Sequence, residues 1–146
     1  MDELMKVISR VNIIIINDEE ALQLSAEDTL FAAAKKILSF GPTHVVIKKG
    51  EHGAMLFEED EFFAIPAFPV EKVKDPTGAG DTFAGGFAGY LSQVDNTDFE
   101  SLKLAVVHGT VMASFCVEGF GTSVMERLEK ETVLKRLKEF KKYTRY

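Results

Sequence analysis

The sequence predicts an α/β fold, a three-layer α/β/α sandwich built on a mostly parallel sheet. Three observations point there. Residues 11–16 and 45–47 are short β-branched runs without polar alternation (Asn12 is the one interruption), the pattern of strands buried on both faces. Between them Leu30, Phe31, Ala34, Ile37 and Leu38 recur at helical spacing, which completes the strand–helix–strand order of a βαβ unit. Beyond residue 79 the apolar positions keep a helical period through three long stretches, enough to supply covering layers.

In chain order, the first strand ends abruptly at Asn17-Asp18-Glu19-Glu20, and Gly41-Pro42 stops the helix over 30–38. Gly50-Glu51-His52-Gly53 reads as a turn. Residues 54–57 and 62–65 then flank the acidic stretch 58–61 as a hairpin with a charged tip. Pro66 and Pro69 break regularity, and a further short strand is expected over 70–73. Residues 80–91 carry Phe83, Phe87 and Tyr90 at helical spacing and read as a helix despite Gly85, Gly86 and Gly89. Each of those glycines costs ~1 kcal/mol against alanine, which implies very close packing against a neighbour. Leu102, Ala105, Val106, Gly109, Met112, Ala113 and Cys116 mark another long helix, and Val133, Leu134, Leu137 and Phe140 a last amphipathic one over 131–142. No repeat, low-complexity tract or Pro/Gly/Ser linker divides the chain, so residues 1–146 are expected to form a single domain.

A chain of 146 residues, 46% hydrophobic and 27% charged, has a soluble globular composition rather than a disordered one. Its net charge of −6 argues against a nucleic-acid partner, because phosphate binding needs a basic patch. The lone cysteine, Cys116, excludes an intramolecular disulfide framework and a multi-cysteine zinc site. The longest unbroken apolar run, 30–34, is far shorter than a membrane span, so no membrane partner is expected. The N-terminus lacks the basic, apolar and small-residue order of a signal peptide, which makes the cytoplasm the expected compartment. No Gly-x-x-x-x-Gly-Lys-Ser/Thr occurs, and that removes a P-loop NTPase.

The most informative stretch is Asp75-Pro76-Thr77-Gly78-Ala79-Gly80-Asp81, where small and restricted residues precede an acid and a helix starts directly behind. Free N–H groups in a helix's first turn make a positive site for an anion, and glycines let a phosphate approach the backbone. An aspartate there would repel the phosphate unless it had a second task. Taking a proton from a hydroxyl that attacks phosphorus is such a task. The plain alternative is that Asp81 caps the helix after a glycine turn and does nothing more.

Residues 75–87, Asp-Pro-Thr-Gly-Ala-Gly-Asp-Thr-Phe-Ala-Gly-Gly-Phe, closely resemble the C-terminal signature of the ribokinase-like (PfkB) carbohydrate kinase family. Asn17-Asp18-Glu19-Glu20 resembles that family's Asn-x-x-Glu motif, which follows a strand, and Lys48-Lys49-Gly50-Glu51-His52-Gly53 resembles its Gly-x-x-Gly nucleotide loop. The helix over 102–116, followed by Gly119 and Gly121, is similar to the element that closes over adenine. The resemblance runs from about residue 11 to residue 121 and implies the ribokinase-like sandwich without its N-terminal half. That half carries the family's Gly-Gly motif, most sugar-contacting residues and a small β-sheet lid.

The resemblance also implies an activity, transfer of the ATP γ-phosphoryl group to a hydroxyl of a sugar, sugar phosphate or nucleoside, with Mg²⁺. Asp81 matches the family's catalytic base, and the N–H groups of Gly78, Ala79 and Gly80 match its anion hole, a role that coexists with a tight turn. Asn17 and Glu20 match the Mg²⁺ and phosphate motif; they equally suit a helix start, with Asn17 as cap and Glu20 in the capping-box position. Lys48, Gly50 and Gly53 align with the loop that passes the ATP phosphates and ribose, although the family often has Thr or Ser where Lys48 stands. His108 sits where many members place an adenine-pocket residue, against the competing reading of a satisfied core histidine. Asp75 and Thr77 occupy positions that bind a monovalent cation, usually K⁺, in some members. The rival to a kinase is a non-catalytic nucleotide-binding module, or a truncated kinase without an acceptor site. A half-fold cut along a sheet leaves an open strand edge, so a homo-oligomer is expected, with Val11 and Ile13 to Ile16 at the contact.

Overall fold

The computed structural model describes residues 2–146. These fall into two compact units, Met1–Ala64 and Ile65–Tyr146, where the sequence marks no linker.

The first unit runs α1 (Asp2–Ile8), β1 (Ile13–Asn17), α2 (Asp18–Ser25), α3 (Leu30–Leu38), β2 (His44–Lys48), β3 (Ala54–Phe57) and β4 (Phe62–Ile65), which reaches the boundary. The sheet order is β1-β2-β3-β4. β1 and β2 pair in parallel, with Ile14 opposite Val45 and Asn17 opposite Lys48. β2 and β3 pair antiparallel, with Val45 opposite Phe57 and Lys48 opposite Ala54. The sheet is therefore mixed, where the sequence suggests a mostly parallel one. The reason lies in the connections. A parallel pair needs a crossover, which α2 and α3 provide, whereas the loop 49–53 turns the chain straight back. Lys49 N–H closes that loop on the Gly53 carbonyl at 2.8 Å, and Glu58 N–H closes the acidic hairpin tip on the Glu61 carbonyl at 2.9 Å.

The crossover has two helices, not one. α2 starts on a capping box between Asn17 and Glu20 and stops at Ala26, whose left-handed backbone lets its N–H reach the Leu22 carbonyl. α3 starts on Thr29, whose Oγ1 accepts from Ala32 N–H, and the chain leaves it through Gly41 at φ 138°. A Cβ at Gly41 would lie 2.8 Å from Ser9 Cα, so both conformation and space demand glycine there. Ala21, Ala33, Ala34, Ile37, Val45, Ile47 and Phe57 form the core of this unit, with Ile14 and Ile16 packed against it from β1.

The second unit holds α4 (Ala79–Val94), α5 (Phe99–Val117), α6 (Ser123–Glu126) and α7 (Lys130–Thr144). The strand expected over 70–73 is absent. No strand lies beside it in this unit, and the amides that follow, Lys74 and Asp75, donate to the Val117 carbonyl at the end of α5, at 2.8 and 3.4 Å. The close packing expected of the α4 glycines falls on one of the three. A Cβ on Gly86 would lie 2.8 Å from Met112 Cγ, and α5 answers with Gly109, whose Cβ would lie 2.8 Å from the Phe83 carbonyl oxygen. Gly85 and Gly89 face open space instead. By length and composition α5, at 19 residues, is apolar enough to cross a membrane although no unbroken run betrays it; half of its apolar stretch is buried inside the protein. Phe140 of α7 is buried edge-on against Phe68.

Ile37 is fully buried, whereas Phe31 on the same helix is half exposed and touches Phe57 only edge-on. Ile37→Ala should therefore cost about 2–5 kcal/mol in urea unfolding and Phe31→Ala clearly less. Equal losses would place the core of the first unit elsewhere.

Candidate active site

The segment 74–81 is fastened from one side. Besides the two amides on Val117, the Cys116 thiol donates to the Thr77 carbonyl at 3.6 Å, and a Cβ on Gly78 would lie 3.8 Å from the same sulfur. The Asp75 carboxylate accepts from Thr77 N–H at 2.9 Å. Hydrogen bonds from Thr77, side chain first and backbone second, hold the Asp75 carboxyl below the usual carboxylate range, so it is ionised near neutrality. Asp75 and Thr77, the pair suggested for a monovalent cation, are thus neighbours across a tight Asx turn.

Gly78 caps α4 with a left-handed φ of 83° and no side-chain cap. Its carbonyl accepts from Thr82, both N–H and Oγ1. Ala79 N–H donates to the Pro76 carbonyl at 3.1 Å, so of the three amides suggested for an anion hole that of Ala79 already has an acceptor. The amides of Gly78, Gly80 and Asp81 have none among the described residues. Asp81 is not the cap: it lies in the first turn of α4, exposed, and its carboxylate makes no hydrogen bond among the described residues. Free amides at the start of a sixteen-residue helix, with a carboxylate beside them, fit a phosphoryl group and a hydroxyl that must lose its proton.

In the first unit the structure brings Asn17, Glu20, Lys48, Gly50 and Gly53 to one end of the sheet. Asn17 and Lys48 are paired last residues of the parallel strands, the end at which open α/β sheets take ligands. The capping box is fully formed: Asn17 Oδ1 accepts from Glu20 N–H at 2.8 Å and Glu20 Oε2 accepts from Asn17 N–H at 2.9 Å. Glu20 Oε1 stays available as one carboxylate oxygen for a magnesium ion that keeps several waters, and Asn17 Nδ2 as a donor to a phosphate oxygen or to such a water. Among the described residues no three His, Cys, Asp or Glu side chains converge on one point. Gly50, exposed at φ 55° with nothing near its missing Cβ, lets a ligand approach the backbone; Gly53 is buried at φ 91°.

His108 is half-buried and stacks on Tyr90, ring centroids 4.4 Å apart. The two rings line an open groove of about 430 Å³ among α4, α5 and α7, with Gly85, Gly89, Met112 and Leu134. Sequence reasoning missed Tyr90 as the partner of His108. The signal was present in Gly85 and Gly89, small residues that no close helix contact requires. It also missed the hold of Cys116 and Val117 on the phosphate turn, which only the pairing of α4 with α5 creates.

Free amides at a helix start, and polar groups at the end of a parallel strand pair, are places where α/β proteins take phosphate. The chain belongs to the pfkB family of carbohydrate kinases, whose pattern matches residues 1–128. It is 41% identical over 92 residues to a cytidine kinase of Thermococcus kodakarensis, covering 61% of this chain and 33% of that protein. To a nucleoside kinase of Methanocaldococcus jannaschii it is 30% identical over 145 residues, covering 89% and 43%. The fold matches the aminoimidazole riboside kinase of Salmonella enterica, solved with aminoimidazole riboside and an ATP analogue, at a TM-score of 0.81 and 25% identity over 93% of this chain and 45% of that one. A ribokinase from Thermotoga maritima gives a TM-score of 0.79 at 31% identity, over 92% and 44%. The chain thus spans a third to just under half of the length of these relatives, which are sugar and nucleoside kinases.

Burial pushes the His108 imidazole below its ordinary value of 6.5. The unfolded chain then binds that proton more readily than the folded one, so the stability it contributes is present above about pH 6.5 and is lost as pH falls below it. Thermal unfolding should show a lower midpoint at about pH 5.5 than at about pH 7.5, and His108→Gln should shrink the difference. An unchanged difference in that variant would assign the effect to another group.

Proposed function

We propose that this chain is the nucleotide- and phosphoryl-handling part of an ATP-dependent kinase that phosphorylates a hydroxyl of a sugar, sugar phosphate or nucleoside. The observation that carries the reading is the start of α4, where unpartnered amides of Gly78 and Gly80 stand beside the exposed Asp81 carboxylate. ATP with Mg²⁺ supplies the phosphoryl group and offsets its charge when bound. Asp81 accepts the proton of the acceptor hydroxyl, a contribution of typically ~10²–10⁴-fold. The Gly78 and Gly80 amides, with that of Asp81, donate to phosphoryl oxygens without reorganising, because the turn is already held by Val117 and Cys116. Glu20 would hold the magnesium through Oε1, and Asn17 would donate from Nδ2 to a phosphate oxygen or a metal-bound water. The loop of Lys48, Gly50 and Gly53 offers backbone to the phosphates and ribose, His108 faces the adenine, and Asp75 with Thr77 holds K⁺.

The second reading, a nucleotide-binding module without turnover, is favoured by one observation, the chain's span of less than half of its relatives. Calorimetry with Mg²⁺-ATP, combined with ATP consumption against a panel of sugars and nucleosides, separates the two. The kinase predicts both heat and turnover, and Asp81→Asn should lower kcat at least ~10²-fold with nucleotide affinity nearly unchanged. Heat without turnover on any acceptor selects the module, and no heat at millimolar nucleotide removes both.

The same reading gives the isolated chain a partner, a second copy. β1 ends the sheet order, its isoleucines Ile13 to Ile16 are all only partly buried, and it carries no Lys, Pro or bulge to blunt the edge. The opposite edge, β4, is guarded by the acidic tip 58–61 and by Pro66. Pairing of two β1 edges satisfies their outward amides and carbonyls and covers the isoleucines. Light scattering should return a dimer in the micromolar range, and Ile15→Lys should return a monomer; a wild-type monomer that binds no hydrophobic dye would refute the association.

A further inference from the structure

We infer that Arg136 of α7 is a positioning residue for the phosphate turn, acting through the last turn of α5. The guanidinium group makes four contacts, all with the C-terminal end of α5 or its surroundings. Nη1 donates to Ser114 Oγ at 3.0 Å and to Glu118 Oε1 in a short ion pair, and the planar group lies 3.7 Å over the Phe115 ring and 4.8 Å from the Phe68 ring. Only 18% of the Arg136 side chain is exposed, against 37% of Glu118, so the cation of the pair is the shielded partner. Charge is well placed too: a cation at a helix C-terminus complements the unpaired carbonyls there.

Ser114, Phe115 and Glu118 bracket Cys116 and Val117, the two residues that fasten the turn. Val117 accepts from Lys74 and Asp75, and Cys116 donates to Thr77. Arg136 therefore fixes one side of a short relay. It clamps the final turn of α5, that turn holds 74–77, and 74–77 aims the amides of Gly78 and Gly80 and the carboxylate of Asp81. Neither Arg136 nor Glu118 belongs to the motifs that suggest a kinase, and no periodicity on α7 marks Arg136 apart from the other basic residues of that helix.

The inference rests on the kinase reading for its catalytic consequence, but its test needs no turnover. Amide hydrogen exchange is measured by NMR on the wild-type chain, on Arg136→Met, Arg136→Lys and Glu118→Gln, with Val45 and Ile47 of β2 as internal controls. The amides of Lys74 and Asp75 should exchange about tenfold faster in Arg136→Met and measurably faster in Glu118→Gln, while Val45 and Ile47 keep wild-type rates. Arg136→Lys, which retains a charge facing Glu118, should recover part of the protection. If the wild type turns over, Arg136→Met should lower kcat and leave the nucleotide KM near its wild-type value. Unchanged exchange at Lys74 and Asp75 in both charge-removing variants overturns the inference. So does acceleration spread evenly over β2 in both, which would make Arg136 a general stabiliser. A chain inactive on every acceptor, but with the local exchange pattern, retires the kinase and leaves the relay standing.

Discussion

The close approach of α4 and α5 is the constraint on which the second unit depends. A Cβ on Gly109 would lie 2.8 Å from the Phe83 carbonyl oxygen, and one on Gly86 2.8 Å from the Met112 side chain and 3.1 Å from Gly109 Cα, so the two backbones meet closely there. Phe83, Ala105 and Val106 are buried around this contact. Because the helices follow one another through a short connection, the N-terminus of α4 lies beside the C-terminus of α5. That juxtaposition lets one carbonyl, Val117, take two amides from the segment ahead of α4. α4 itself has no side-chain cap. A Ser or Asp cap would satisfy the first-turn amides and so occupy the groups an anion must reach.

Two aspartates six positions apart show how surroundings divide labour between identical side chains. Asp75 is bound to Thr77 and held as the anion, so it builds the turn. Asp81 has its carboxylate exposed on the helix, with no hydrogen-bond partner among the described residues. The acid that builds the turn accepts a hydrogen bond, whereas the other keeps its oxygens free. Asn17 and Glu20 combine both styles. One donor and acceptor from each go to the capping box, and the second atom of each is left over.

Much of this architecture was legible in the sequence where a local rule governs. The hairpin around 58–61, the helix over 30–38 and the three long helices α4, α5 and α7 follow from period and from turn residues. One helix of the crossover, α2, was missed as an element although its capping box is local; the other failures are non-local. The run 70–73 has a strand's composition, yet a strand exists only where another is there to pair with it. The switch from parallel to antiparallel after β2 depends on a short loop, and β-branched composition does not report direction. In the site, the glycine turn before Asp81 was visible from residue types alone. Which amide is already spent, as Ala79 is on Pro76, depends on a turn geometry that those types do not specify. The glycines of α4 divide the same way: composition announces a close contact, and only the neighbouring helix assigns it to Gly86 rather than Gly85 or Gly89.

The unequal edges of the sheet have a kinetic meaning. β2, β3 and β4 are joined by short loops and form a local meander whose closure costs little chain entropy. β1 must find β2 across the whole of α2 and α3, with Ile14 meeting Val45. Pairings between residues distant in sequence are the slow ones, so β1 joins a sheet that already exists. Its isoleucine run leaves the ribosome ahead of β2 and waits through the synthesis of the crossover. Of the four strands in this sheet, the one made first is thus the one placed last, and during that interval its isoleucines stand open to a foreign strand.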